Sequence, residues 1–411
     1  LNNTPAAELP AKLEPICDVE NMLYGQVLNN LFTNLESYLG VASEYYLYDR
    51  SRDGKFVHIH WDLNESFGTT GDGTPRLANP FTLDPFYLPT ATGGGFPGGG
   101  GAASNARPLL EKLWAVDGYK RLYLRMLARM LREGFDAGTM GARAQQLAAM
   151  IRPYAETDPN RVFSMAQFDA TVNSQTNTGQ LTLYGITQFV RERYNFLRPL
   201  LNSYAQPADV RLNEIAASAT EPWVEIYNPG PGPVSLNGFY LSDEASNPSK
   251  WALPNRTLED GAFLVVYLTG DTSKGETYAN FRAATTGSLT LSHSGTVLDS
   301  QAYPALAANQ SYIRTGSLGP VWEVTTQATP GAENVLSAVS TEQPGGTGQL
   351  LINEVMADND GAHPDPDEAG AYEDWFEVYN PTEAAVDMSG MYLTDNLSNP
   401  TKWKCRRALS I

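Results

Sequence analysis

The spacing of apolar and polar positions divides the chain into a helical first half and a strand-rich second half. Between Val19 and Phe32 the apolar residues Tyr24, Val27, Leu28 and Leu31 recur at helical intervals, which predicts a buried helix. Two aromatic and β-branched runs, Tyr45 to Tyr48 and Phe56 to Trp61, then flank an Arg52-Asp53-Gly54 turn and predict a β-hairpin. The period is helical again from Leu109 to Arg132. Leu113, Tyr119, Leu122, Met126 and Met130 form one face there, and Arg121, Arg125, Arg129 and Arg132 form another that reads as solvated. Further helices are expected over about 141–155 and 184–203. After Gln206-Pro207-Ala208-Asp209, short Val-, Ile- and Tyr-rich runs alternate with Gly, Pro and Asn turns up to about residue 337, the pattern of an antiparallel β-sandwich.

Part of this second half occurs twice. Leu212-Asn213-Glu214-Ile215 returns as Ile352-Asn353-Glu354-Val355, and Trp223-Val224-Glu225-Ile226-Tyr227-Asn228-Pro229 as Trp375-Phe376-Glu377-Val378-Tyr379-Asn380-Pro381. Gly238-Phe239-Tyr240-Leu241 matches Gly390-Met391-Tyr392-Leu393, and Lys250-Trp251 matches Lys402-Trp403. The spacing widens from 140 residues at Asn213/Asn353 to 152 at Trp223/Trp375, so the second copy carries an acidic insertion within about 357–374. The organisation that follows is a multidomain α+β chain. A mainly helical region with a β-hairpin spans 1–205 and contains a flexible Gly-rich loop at 69–107; a β-sandwich spans 208–337, a linker 338–348, and a truncated second sandwich 349–411.

Charge narrows the function classes. With 28 basic against 46 acidic residues the net charge is −18, which repels nucleic-acid backbones and anionic membrane surfaces and suits divalent cations and basic partners. Cys17 and Cys405 are far apart and support neither a disulfide framework nor a thiolate metal site. No apolar run approaches the roughly 18–20 residues of a membrane span.

The hairpin's second run delivers Asp62, Asn64 and Glu65 into a loop that ends at Gly68, a natural setting for a hard divalent cation. The other reading of Asp62 and Asn64 is a turn cap. His58 and His60 lie two apart on one strand face; they either pack there or begin a metal site that lacks a third ligand in the sequence. Trp223, Trp251, Trp375 and Trp403 read as sandwich core, with sugar stacking as the alternative. The Asp- and Glu-rich insertion at 358–374 is a solvated loop or a weak Ca2+ site without full EF-hand spacing.

Several segments resemble the CotH family of atypical secreted kinases: Asn34-Leu35-Glu36-Ser37-Tyr38, Ala42 to Tyr48, Gly54 to Val57, Trp61-Asp62-Leu63-Asn64-Glu65-Ser66-Phe67-Gly68, and Phe189-Val190-Arg191-Glu192-Arg193. The two repeats resemble immunoglobulin-like lamin-tail domains through their Asn-Glu, Trp-x-Glu-x-Tyr-Asn-Pro and Gly-x-Tyr-Leu-Ser/Thr-Asp motifs. The resemblance implies an ATP-dependent Ser/Thr kinase fold using Mg2+ or Mn2+, an extracellular or cell-surface location, and a protein substrate or surface partner. By it, Asp62 takes the metal-binding position with Asn64 beside it, and Glu36 stands where the family has a catalytic Asp. It also implies that a nucleotide-covering lobe precedes Leu1, so this stretch alone is expected to bind ATP weakly; the start at Leu1, with no Met or charged leader, separately leads us to expect an upstream piece that includes any targeting signal. The rival reading is a non-catalytic scaffold of the same fold whose sandwiches bind a partner. Because the second copy runs only to Ile411, residues from about 349 on are expected to exchange their amide hydrogens faster than the first copy; equal protection of the two copies would contradict this.

Overall fold

The computed structural model describes residues 3–51, 53–68, 77, 79–89, 107–177, 182–315 and 321–336 of one compact unit. In a second unit it describes 350–357, 359, 364, 371–380, 386, 388, 391–396 and 399–405. The first unit begins with helices α1 (Leu9–Leu13) and α2 (Val19–Leu31), followed by the antiparallel hairpin β1 (Tyr45–Arg50) and β2 (Lys55–His60). Helices α3 (Pro108–Trp114), α4 (Asp117–Glu133), α5 (Ala137–Thr157) and α6 (Met165–Ala170), a short pair β3 (Thr176–Asn177) and β4 (Thr182–Leu183), and α7 (Ile186–Ser203) complete the helical part. The run read as one helix from Leu109 to Arg132 is thus two, broken at Ala115 and Val116.

The Asp18 carboxylate caps α2 by accepting from the Asn21 N–H at 3.1 Å. Its buried residues include Met22, Leu23, Val27 and Leu31, whereas Tyr24 is exposed, so the core face is rotated from the one expected. These side chains meet Leu122, Tyr123, Leu127 and Leu131 of α4 and Phe189, Val190, Leu197 and Leu201 of α7 in a single core. The expected flexible loop at 69–107 falls mostly outside the described residues. Its segment 79–89 is described, and Leu83 packs with Leu35, Leu39 and Leu110.

The β-rich part holds two facing antiparallel sheets. One has the order β11 (Phe263–Tyr267), β6 (Trp223–Tyr227), β5 (Arg211–Ala216), β14 (Ser311–Arg314), β15 (Trp322–Thr325). The other has the order β13 (Thr296–Tyr303), β12 (Gly287–His293), β8 (Phe239–Ser242), β9 (Trp251–Ala252). A short pair, β7 (Val234–Ser235) and β10 (Thr257–Leu258), lies beside them. Leu212, Ile215, Val224 and Val266 of the first sheet and Phe239, Leu241, Leu289 and Leu291 of the second share one core, which makes this a β-sandwich.

In the second unit β16 (Leu351–Met356) pairs with β17 (Trp375–Tyr379), and β18 (Tyr392–Leu393) with β19 (Trp403–Lys404). Its pairings repeat the first copy position for position. Glu354 faces Glu377 as Glu214 faces Glu225, with the same irregularity after Ile352 as after Leu212, and Leu393 faces Trp403 as Leu241 faces Trp251. Leu212 and Ile215 are fully buried, while their counterparts Ile352 and Val355 are 67% and 64% exposed. Trp223 is buried and Trp251 packs on the sandwich core, whereas Trp403 is half exposed.

The conserved spacing of Asn, Glu and Glu in the repeat is explained by burial. Glu214 and Glu225 are both fully inaccessible to solvent. Glu214 accepts from the Thr329 N–H at 3.1 Å, from the Thr329 hydroxyl at 3.0 Å and from Ser311; Glu225 accepts from Asn213 Nδ2 at 2.8 Å and from the Gly331 N–H. The two carboxyls therefore staple the loop that follows β15 onto the sheet.

The helical part and the sandwich join through arginines of α4 and α7. Buried Asp209 accepts from Arg121, which also donates to the Tyr204 carbonyl at 2.9 Å. Buried Asp260 accepts from Arg198 at 2.9 Å and from Arg132 at 3.4 Å. Gly261, at φ 74°, lets the Arg132 guanidinium lie against the turn: a Cβ there would come within 2.4 Å of its Cζ. Burial alone would raise the Asp260 pKa, but the Arg198 and Arg132 guanidiniums hold it below the ordinary carboxylate value. The α4 arginines read as a solvated face are thus an interface, because periodicity distinguishes charged from apolar faces but not water from a charged partner.

Desolvation by burial pushes the Glu225 carboxyl up to about 7, with the charge of Glu214 adding to it. The folded chain then binds this proton more tightly than the unfolded chain, so the stabilisation is complete below the ordinary glutamate pKa and is lost as pH rises through about 7. Glu225→Gln is expected to flatten the fall in melting temperature between pH 5 and pH 8 relative to the unmodified protein, which parallel melts of the two proteins check.

Candidate functional site

The site begins where α2 ends. Thr33 leaves the helix in the left-handed region (φ 49°) and its hydroxyl donates to the Pro80 carbonyl at 3.0 Å. The Asn34 side chain accepts from the Glu36 N–H at 3.2 Å, and the Ser37 hydroxyl donates to the Asn34 carbonyl at 2.7 Å, so the loop bearing partly buried Glu36 is internally braced. Arg107 clamps its far side by donating to the Tyr38 carbonyl at 2.8 Å and to the Gly40 carbonyl.

Two neighbouring residues link this loop to the hairpin. The Ser43 hydroxyl donates to the Glu36 carbonyl at 2.6 Å, and the Glu44 carbonyl accepts from the Trp61 N–H at 3.3 Å. The segments carrying Glu36 and Asp62 are thereby held together, although neither is near the other in sequence. Asp62 and Asn64 are exposed, whereas Glu65 is buried. Beyond them the Phe67 N–H donates to the Phe32 carbonyl at 2.7 Å, and the Phe67 ring sits edge-on to Phe32 at 5.4 Å and to Phe189 at 5.5 Å. The oxygen-bearing loop is therefore fixed at both ends and open in its middle.

Backbone strain is concentrated here. Six non-glycine residues have positive φ among the described residues, and five of them are Thr33, Ala42, Glu44, Asp62 and Phe67. Each such residue costs roughly 1–2 kcal/mol and persists only where the surroundings over-determine it, which is common at functional sites. Asp62 itself has φ 42°.

The donor set suits a hard cation shared with phosphates. Mg2+ is usually held by one or two carboxylates plus substrate oxygens, and exposed Asp62 and Asn64 offer that much. Among the described residues no cluster of three or more His, Cys, Asp or Glu side chains could hold a metal by itself. His58 and His60 meet edge to face at 4.7 Å, and His58 stacks on Tyr45 at 5.7 Å. Gly25 of α2 makes room for this packing, since a Cβ there would sit 2.6 Å from His58 Nδ1. Burial, with His60 nearby, lowers His58 to about 4, and burial lowers His60 as well, so the pair stays neutral at ordinary pH. The proposed Ca2+ loop at 358–374 falls mostly outside the described residues. At its margins the Asn359 N–H donates to Asp374 at 3.0 Å.

Sequence reading did not anticipate Arg107 and Arg193 as the residues that position this site. Arg193, within the quoted Phe-Val-Arg-Glu-Arg run, is fully buried and donates to the Leu83 carbonyl at 2.6 Å, the Phe81 carbonyl at 3.1 Å, the Asn30 carbonyl at 3.2 Å and Asn30 Oδ1 at 2.7 Å.

Residues 1–197 match the family described as CotH kinase protein, and residues 203–309 match the Lamin Tail Domain. The chain carries a CotH kinase domain followed by a lamin tail domain. Comparison with curated proteins gives no match.

Because Asp62 holds a left-handed conformation, Asp62→Gly is expected to raise folding stability by up to about 1 kcal/mol. A denaturant-midpoint comparison checks it, and a loss of similar size would show that the carboxylate itself stabilises the fold.

Proposed function

We propose that this CotH kinase domain transfers the γ-phosphoryl group of ATP to a Ser or Thr hydroxyl of an extracellular or surface protein, with the lamin tail domain as its binding or anchoring module. The observation that carries the reading is the exposed Asp62–Asn64 pair in a loop clamped at both ends and strained at Asp62, within residues that match the CotH family. Asp62 and Asn64 would hold Mg2+ or Mn2+, which would supply neutralisation of phosphate charge. Glu36 accepts the hydroxyl proton as the new oxygen–phosphorus bond forms and the bond to the β-phosphate oxygen breaks, leaving ADP. The charge of −18 supports a protein or peptide acceptor over a nucleic acid, and among the described residues no helix is long and apolar enough to cross a membrane.

A second reading, a non-catalytic scaffold, is favoured by Glu36. Its side chain is one methylene longer than the Asp of the family pattern, and displacement of a reacting group by about 1 Å can cost of order a hundredfold in rate. The two readings separate in one assay of the full-length protein with ATP and Mg2+ or Mn2+. Phosphate incorporation that falls by about a hundredfold or more in Asp62→Asn is expected, and incorporation unchanged by that substitution would remove the assignment.

A further inference from the structure

The joint between α4 and the five-stranded sheet contains a cleft of about 380 Å3, within the roughly 300–1,000 Å3 range of small-molecule sites. Five arginines border it: Arg125, Arg129 and Arg132 from α4, Arg211 at the start of β5 and Arg314 at the end of β14. Such a concentration of positive charge is unexpected in a chain of net charge −18.

Three of the five are neutralised. Arg129 pairs with Glu133 at 2.8 Å and Glu333 at 3.1 Å, Arg132 with Glu133 at 3.0 Å and Asp260 at 3.4 Å, and Arg314 with Asp299. Arg125 and Arg211 have no ion pair or side-chain hydrogen bond among the described residues, and the Nε atom of each is shut off from solvent without an acceptor. Asp209, whose field reaches Arg125, is already bonded to Arg121. Arg211 lies over the Tyr227 ring at 5.8 Å, and Tyr227 stacks flat on Phe263 at 4.4 Å, which gives the cleft an aromatic wall beside its two cations that lack an ion pair.

Two guanidiniums without a bonded carboxylate in one cleft favour an anionic ligand, even with Glu20 and Glu333 also in the lining. A buried donor without an acceptor is destabilising, more so for a charged group, and like charges add to that. Burial lowers the Arg125 pKa, and burial together with Arg125 and Arg314 brings Arg211 down to about 10. Guanidiniums approaching from two elements match an anion with several oxygens, since each can donate along two parallel N–H bonds.

We propose that this cleft is a binding site for a phosphoryl dianion, with Arg125 and Arg211 as its ligands and the Tyr227–Phe263 face against whatever group the phosphoryl is attached to. The site stands apart from Asp62, so it does not depend on kinase activity. Calorimetric titration of the full chain with O-phospho-L-serine and, separately, with inorganic phosphate tests it.

Binding of one equivalent is expected, weakened about tenfold or more in the double variant Arg125→Met, Arg211→Met. That variant should melt no lower than the unmodified protein without anion, because it loses a repulsion. Tighter binding of phosphoserine than of phosphate assigns the site to a phosphomonoester, and equal binding assigns it to the free anion. No binding of either probe, or binding unaffected by the double substitution, overturns the proposal. A readout on the unmodified protein is independent of how the variant folds: phosphoserine should protect Arg125 and Arg211 from a dicarbonyl reagent while partly exposed Arg152, outside the cleft, reacts as before, and absence of that protection also overturns it.

Discussion

The helical part depends on a guanidinium that water does not reach. Arg193 is fully buried, and burial brings it down to about 10, yet it donates to four oxygens on two segments distant in sequence. A buried cation is tolerated only with such extensive hydrogen bonding, here made by the two terminal nitrogens while Nε has no acceptor, and losing part of it costs several kcal/mol. This geometry fixes the last turn of α2 against the Phe81–Leu83 segment. Thr33, the Glu36 loop and the anchor of Phe67 on Phe32 all start from that turn. Five residues further along α7, Arg198 reaches Asp260 of the sandwich. One helix thus sets both the floor of the candidate site and the attitude of the second domain.

The elements were legible in the sequence wherever periodicity reports burial. The α2 helix, the hairpin, α7 and the sandwich follow from spacing, and the duplicated motifs recur in the same strand register in both copies. The rotation of α2 was not legible, because its buried side also takes up Asn29 and Asn30 and hydropathy assigns amides to the surface. The destination of the α4 arginines was hidden for a related reason: the acids that receive them lie about 90 to 130 residues away. At the site, Asp62 and Asn64 could be read from their place at a strand end. Their relation to Glu36 could not, since it runs through the Ser43 hydroxyl and the Glu44 carbonyl, and backbone acceptors leave no trace in residue type.

The buried glutamates explain why the repeat conserves polar residues in the middle of strands. In the first copy they bind the backbone of Thr329 and Gly331 and so close the end of the sandwich. In the second copy Asn353 still donates to Glu377, the same local pairing, while Ile352 and Val355 are exposed. The hairpin register is therefore encoded within the motif itself, and burial of its apolar face is a separate step that needs the opposing sheet.

Asp209 and Asp260 give the joint between the two domains a character unlike that of a linker. Swinging the sandwich away would strand two desolvated acids and leave Arg121 and Arg198 without their counter-charges. The bearing of the sandwich on the helical domain is consequently set by the geometry of a charged bracket and not by the length of a tether.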